Sequence, residues 1–242
     1  DVYKRQFLIL LISLSIASCS YVQLTDLPSS ESEAEKIISL GLTHSESLSA
    51  AQNLKDPKLV LAVIEKLEKS EELKNKLRIE AEDVIKYAEM VKVSSVNSDG
   101  EIAFTGAEVF TTEKNSFFSD EYESQKYFLH SVKSNNGEME HKLRLSIIYS
   151  SNNWRSYDSS NFCDKWRCDE DDQIKINLIS SDASKCTDSS CEYREIVELS
   201  LSDAFLKSNI NRGFSLKVNS KKVATKVNIA SSYVLGYLNI VN

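Results

Sequence analysis

The chain has 242 residues, a formal net charge of -7 at pH 7 and 41% apolar residues. That length holds one large domain or two small ones, each with a sizeable core. Acidic and basic residues are interspersed, so there is no basic patch for the phosphate backbone of a nucleic acid, and beyond the first segment no apolar run reaches the ~20 residues that cross a bilayer.

That first segment, FLILLISLSIASC over residues 7–19, is an apolar run closed by small residues and a cysteine. Lys4 and Arg5 precede it, and Ala17 and Ser18 suit a signal peptidase. It is too short to span and serines interrupt it, so cleavage is expected. Ile16, Ala17, Ser18 and Cys19 resemble the lipobox of bacterial lipoproteins. The resemblance implies a lipidated Cys19 thiol, cleavage just before it and, with Ser20 following, sorting to the outer membrane. The alternative is an ordinary cleaved signal with a chance cysteine. The opening DVYKRQ lacks an initiator methionine and is expected to be a non-native lead-in, in which case Lys4 and Arg5 are not part of the signal.

The expected organisation is a signal peptide over 1–18, a tether over 19–30, a helical segment over 31–91 and a disulfide-bearing β domain over 92–242. In the helical segment Ser30 and Glu33 have capping-box spacing and Gly41 sits at a C-cap position. Thr43 with Glu46 repeats the start signal, and Asp56-Pro57 opens a third helix whose buried part is 59–64. Leu73, Leu77, Ala81, Val84, Ala88 and Val91 recur at spacings of three and four, which predicts an amphipathic helix that packs within the chain or against a partner.

From residue 92 onward β-branched and aromatic residues dominate and turn signals recur. The fold class expected is α+β: the helical segment, then a mainly antiparallel β-sandwich-like domain, then a short C-terminal helix on Tyr233, Tyr237 and Leu238. A hairpin is predicted over 125–149 with Asn136-Gly137 as a two-residue type I′ turn. That register pairs Lys133 with Glu140, places Phe128, Val132, Leu143, Leu145 and Ile147 on the core face, and makes His130 and His141 diagonal neighbours on it, candidates for a shared metal. Residues 149–172 read as a long loop, with Trp154, Tyr157 and Trp166 as candidate binding anchors or covers for the core. The acidic run 169–172 reads as solvated, since it lacks the spacing and glycine of a calcium loop. Strands are predicted over 173–180, 193–201, 214–218 and 223–229, with a short helix capped at Ser202-Asp203.

Cys163, Cys168, Cys186 and Cys191 form two C-x4-C pairs. Three connectivities exist; the local one, 163 with 168 and 186 with 191, is favoured because each pair closes across a tight turn. A zinc site is the rival, although zinc clusters usually use shorter spacings and an oxidising compartment works against free thiolates. The stretch from Cys186 to the C-terminus is similar to uncharacterised exported proteins of proteobacteria, a resemblance that implies no activity.

The motifs of serine hydrolases, zinc peptidases, nucleotide-binding loops and dinucleotide folds are absent from the sequence. The expectation is a lipid-anchored lipoprotein at the outer membrane, facing the periplasm, without cofactor or catalytic residues. Its partners are the membrane and, as a candidate, an envelope protein. The alternatives are an envelope hydrolase with an unrecognised site and a periplasmic metal-binding protein.

Overall fold

The computed structural model describes residues 30–54, 56–69, 71–114, 122–164, 167–221 and 223–241. The expected signal peptide, Cys19, nearly all of the tether and Trp166 lie outside them. The chain divides into two compact units, Asp1–Leu67 and Glu68–Asn242. The helix over Glu71–Glu89 falls in the second unit with the β-sheets.

In the first unit, α1 (Ser30–Ser39), α2 (His44–Asn53) and α3 (Pro57–Lys66) bury Ala34, Ile37, Ala51, Leu59, Val63, Ile64 and Leu67. Three of the helix signals act as expected, while Ser30, expected as a cap paired with Glu33, is itself the first residue of α1. Gly41, at φ 63°, follows α1 in the left-handed conformation that glycine adopts without strain. Thr43 and Glu46 form a complete capping box, with the Thr43 N–H donating to Glu46 Oε2 at 2.9 Å. Asp56 caps α3, accepting from Lys58 N at 2.9 Å, with Pro57 where its missing N–H costs nothing. The Ser30 hydroxyl donates across to Asp56 Oδ2 at 3.3 Å, and Lys66 pairs with Glu35 at 3.0 Å.

The second unit is a two-sheet, sandwich-like structure with helices. α4 (Glu71–Glu89) precedes β1 (Lys92–Val93), β2 (Ile102–Thr105), β3 (Val109–Lys114), β4 (Tyr122–Lys133), β5 (Met139–Ser151), β6 (Ser159–Asp164), β7 (Arg167–Lys175), β8 (Asn177–Ser184) and β9 (Cys191–Leu201). Then follow α5 (Asp203–Ser208), β10 (Phe214–Asn219), β11 (Ala224–Ile229) and α6 (Ser231–Val241). A seven-stranded antiparallel sheet runs β1-β2-β4-β5-β9-β8, with β3 also on β4, and a four-stranded sheet runs β11-β10-β6-β7. One apolar cluster joins them, from Leu129, Leu143, Leu145, Ile147, Val197 and Leu199 of the larger sheet to Leu216, Val218, Val227 and Ile229 of the smaller, with Leu206 and the buried face of α6.

The β4–β5 hairpin forms one residue out of the predicted register. Ser131 pairs with His141, Leu129 with Leu143 and Lys133 with Met139, whereas Lys133 was expected to face Glu140. The turn is longer by one residue than the two-residue form. Ser134 N donates to Glu138 O at 2.9 Å, Gly137 N to Ser134 O at 3.0 Å, and Gly137 takes φ 87°. This is a three-residue loop ending on a left-handed glycine. The Ser134 hydroxyl and Glu138 N both bond to the Asn136 side-chain oxygen, which holds the loop in that form. Because side chains alternate, Leu143, Leu145 and Ile147 stay in the core but Phe128 and Val132 turn to the opposite face.

The predicted long loop 149–172 contains the β6–β7 hairpin. Cys163 and Cys168 are directly opposed in it and disulfide-bonded, and β6 also pairs with β10. The second bond, Cys186–Cys191, closes the turn between β8 and β9. Strand formation therefore continues where composition alone suggested irregular chain. The predicted strand 173–180 is split at buried Ile176, where the chain passes from the smaller sheet to the larger.

The C-terminal helix is wired into the sheet. β2 and β3 share one edge of β4, and at the gap between them Gly106 N donates to Leu129 O at 2.8 Å. The Tyr233 hydroxyl completes the rung, accepting from Leu129 N at 2.9 Å and donating to Ala107 O at 3.0 Å. A Cβ on Gly106 would lie 2.7 Å from that hydroxyl, so only glycine leaves room for it. α4 packs on α6, with the Tyr87 ring edge-on to that of Tyr233 at 5.1 Å, and a Cβ on Gly236 would come within 2.6 Å of Val84 O. The C-terminal half of the amphipathic seam of α4, through Val84 and Ala88, is thus used within the chain, while Leu73 at its start stays exposed.

Tyr233→Phe keeps the ring and removes both bonds, leaving a buried N–H without its partner. Its unfolding free energy, measured by urea titration at unchanged m-value, is expected to fall by about 1–3 kcal/mol; an unchanged midpoint would show that the hydroxyl bears no weight.

Candidate functional site

Two clusters of polar side chains lie in the interior of the sandwich, and only one of their members was singled out as a possible ligand. The first is built on the β4–β5 rung. Ser131 Oγ lies 2.6 Å from His141 Nδ1, His141 Nε2 lies 3.5 Å from Asp203 Oδ1 at the start of α5, and Tyr237 of α6 donates to Ser131 Oγ at 2.7 Å. Asp203 also holds Lys207 at 2.8 Å through its other oxygen. Burial pushes the His141 pKa down against the opposing pull of Asp203, while the Lys207 hydrogen bond lowers that of Asp203. The consistent arrangement is a neutral imidazole whose Nδ1 accepts from Ser131 and whose Nε2–H faces the carboxylate. The 3.5 Å gap is ion-pair distance without hydrogen-bond geometry, and His141 Nε2 and Asp203 Oδ1 are both buried without a hydrogen-bond partner.

A serine, a histidine and an aspartate in line are the groups of a hydrolytic triad, but two features separate this array from one. The ring is reversed relative to the catalytic template, in which serine meets Nε2 and the carboxylate meets Nδ1. Ser131 is 0% exposed and His141 1%, so no acyl substrate reaches the hydroxyl in this conformation.

The second cluster seals another part of the interior. The loop following β5 turns inward at Ser156, whose φ of 55° is unusual for a residue with a side chain, and inserts Arg155. Its Nη1 donates to Glu123 on β4 and, at 2.8 Å, to the Tyr157 hydroxyl, and its guanidinium lies 4.1 Å from the Tyr149 ring centroid. Burial works against the Arg155 charge, yet the bonds to Glu123 and Tyr157 hold its pKa above the ordinary value. Glu195 on β9 accepts from the Tyr149 hydroxyl, Ser156 N at 3.1 Å and Tyr157 N at 3.2 Å. Gln125 donates to Glu123 at 3.0 Å, and Tyr157 meets Thr225 of the smaller sheet at 2.6 Å. This network fastens the loop to both sheets.

Tyr157, expected as an exposed anchor or a cover, is 3% exposed and is a cover. Trp154 remains 41% exposed, with its ring centroid 4.4 Å from that of Tyr193. The paired-histidine site does not form, because the observed register sends His130 to the outer face of the larger sheet, beside Thr105 at 3.3 Å, and His141 to the core. Among the described residues no group of three or more His, Cys, Asp or Glu is placed to hold a metal, and no helix is long and apolar enough to cross a membrane. Cys163, Cys168, Cys186 and Cys191 are all in disulfides, which removes the zinc alternative for them.

Sequence reasoning missed Ser131, Asp203, Glu123, Glu195 and Arg155. The available signal was the alternation of Glu123, Gln125, Tyr127, Leu129 and Ser131, a mixed polar and apolar row that hydrophobicity alone does not mark as buried. The chain matches no protein-family model, no curated protein and no solved structure.

Folding holds the His141 pKa below its ordinary 6.5, so the stability tied to its neutral form is complete above that pH and is lost as pH falls through it. His130 is shifted in the same direction, by burial first and by Arg144 second. The thermal midpoint is expected to drop between about pH 7 and pH 5, and His141→Asn to flatten that drop, with His130→Asn accounting for part of the remainder. A slope that His141→Asn leaves unaltered would contradict the assignment.

Proposed function

We propose that this chain is a lipid-anchored lipoprotein of a bacterial envelope, facing the periplasm from the outer membrane, whose disulfide-bonded β unit binds or braces envelope components without catalysis. The observation that carries the non-catalytic part is the closure of both polar clusters. Arg155, Glu123 and Glu195 are committed to holding strands and a loop together, and among the described residues the Ser131–His141 pairing is fully buried. The lipobox at Ile16, Ala17, Ser18 and Cys19 supports the anchor, and the two disulfides support an oxidising compartment.

A hydrolase is the second reading, favoured by the line of Ser131, His141 and Asp203. A fluorophosphonate probe decides between them. No Ser131 adduct is expected by peptide mass spectrometry; labelling that His141→Ala abolishes would establish the hydrolase. For the anchor, Cys19→Ala is expected to abolish incorporation of labelled palmitate in cells, and retained label would refute lipidation at that residue.

A further inference from the structure

The outer edge of β8 is unlike the other sheet edges. Among the described residues β8 ends the seven-stranded sheet and pairs with β9 on one side only. All of its residues are exposed, Leu178 by 52% and Ile179 by 48%. A free edge offers a row of N–H and C=O groups that templates another strand, and proteins keep such edges short, charged or covered. The other terminal strands show those defences. β1 has two residues, β3 ends in Glu113 and Lys114, β7 carries the sequence Asp169, Glu170, Asp171 and Asp172, and β11 carries Lys226. β8 has eight residues, one charge at Asp182 and no proline, and its one bulge, between Leu178 and Ser180, leaves Ser180 to Ser184 as a regular edge.

We infer that β8 is a self-pairing edge, joining two copies of the chain antiparallel about a two-fold axis at Ser181. The strand's own sequence selects the axis. Residues directly opposed in an antiparallel pair point to the same face, so the axis passes through a residue and not between two. Centred on Asp182, it would oppose two carboxylates. Centred on Ser180, it would set Asp182 against Leu178. Centred on Ser181, it sets Asp182 opposite the Ser180 hydroxyl of the other copy, Ile179 opposite Ala183 and Leu178 opposite Ser184. Asp182 is in register with Arg194 of β9 on the inner side. A single paired edge buries less than the ~1,200 Å² of a stable interface, which makes the dimer weak and dependent on concentration. The contact is isologous and consumes both free edges, so assembly stops at two.

Sedimentation of the full chain in a large excess of detergent micelles is expected to show a monomer–dimer equilibrium that Ser181→Lys abolishes, since it opposes two ammonium groups on the axis. Circular dichroism confirms that this variant folds. Independently of it, Ser181→Cys is expected to form a reducible dimer under mild oxidation, because opposed residues lie within disulfide reach. Asn177→Cys is expected to form none, being about 25 Å from its counterpart at ~3.4 Å per residue. A chain that stays monomeric at about 1 mM, a dimer that survives Ser181→Lys, or cross-linking at 177 as efficient as at 181 would each overturn the proposal.

Discussion

The rung that pairs Ser131 with His141 sets the composition of the interior. It belongs to a ladder whose phase is fixed by the turn through Gly137, and a one-residue change in that phase exchanges every side chain on a strand between core and solvent. In the observed phase the core row of β4 includes Glu123, Gln125 and Ser131, while Phe128 and Val132 face outward. The polar members of that row then need partners. They find them in Arg155, in His141 and in Tyr237, which draw the loop after β5 and the C-terminal helix onto the same face. The turn thus reaches well beyond its own hairpin.

Buried polar groups are costly when unpaired and specific when paired. Arg155 and Glu123 are each almost fully enclosed, so removing either would leave a buried charge without its complement, a loss on the order of 3–5 kcal/mol. The His141–Asp203 side is less complete, with two facing atoms that lack hydrogen-bond geometry. One cluster therefore fixes the sandwich firmly, while the other leaves a titratable group able to respond to acid. Both lie between elements distant in sequence, and in the first the Ser131 hydroxyl and the His141 ring are buried while Asp203 reaches the surface.

What was legible in the sequence followed from local rules. Thr43 with Glu46, Asp56 with Pro57 and Gly41 mark helix ends by short-range hydrogen bonding and backbone freedom, and each acts as read. The α+β order, the C-terminal helix and the pairing of Cys163 with Cys168 and Cys186 with Cys191 were also readable, since close spacing allows few geometries. The hairpin was readable but its phase was not, because Asn136-Gly137 suits a two-residue turn and Phe128 and Val132 advertise the wrong face. Ser131 with Asp203 and Arg155 with Glu123 were illegible, since no periodicity links residues brought together only by the assembled sheets.

The Tyr233 hydroxyl sits 104 residues along the chain from the amide it completes at Leu129. A polypeptide delivered N-terminus first, from a ribosome or through a pore, has β2, β3 and β4 available long before that tyrosine emerges. Until then the gap at Gly106 holds an unfilled rung, and the sheet beside it carries a frayed seam. Long-range closure of this kind slows folding, and here it delays completion of the rung until Tyr233 has been released. α6 is the bolt that locks the unit, and it can be driven home only once it has followed β2, β3 and β4 out.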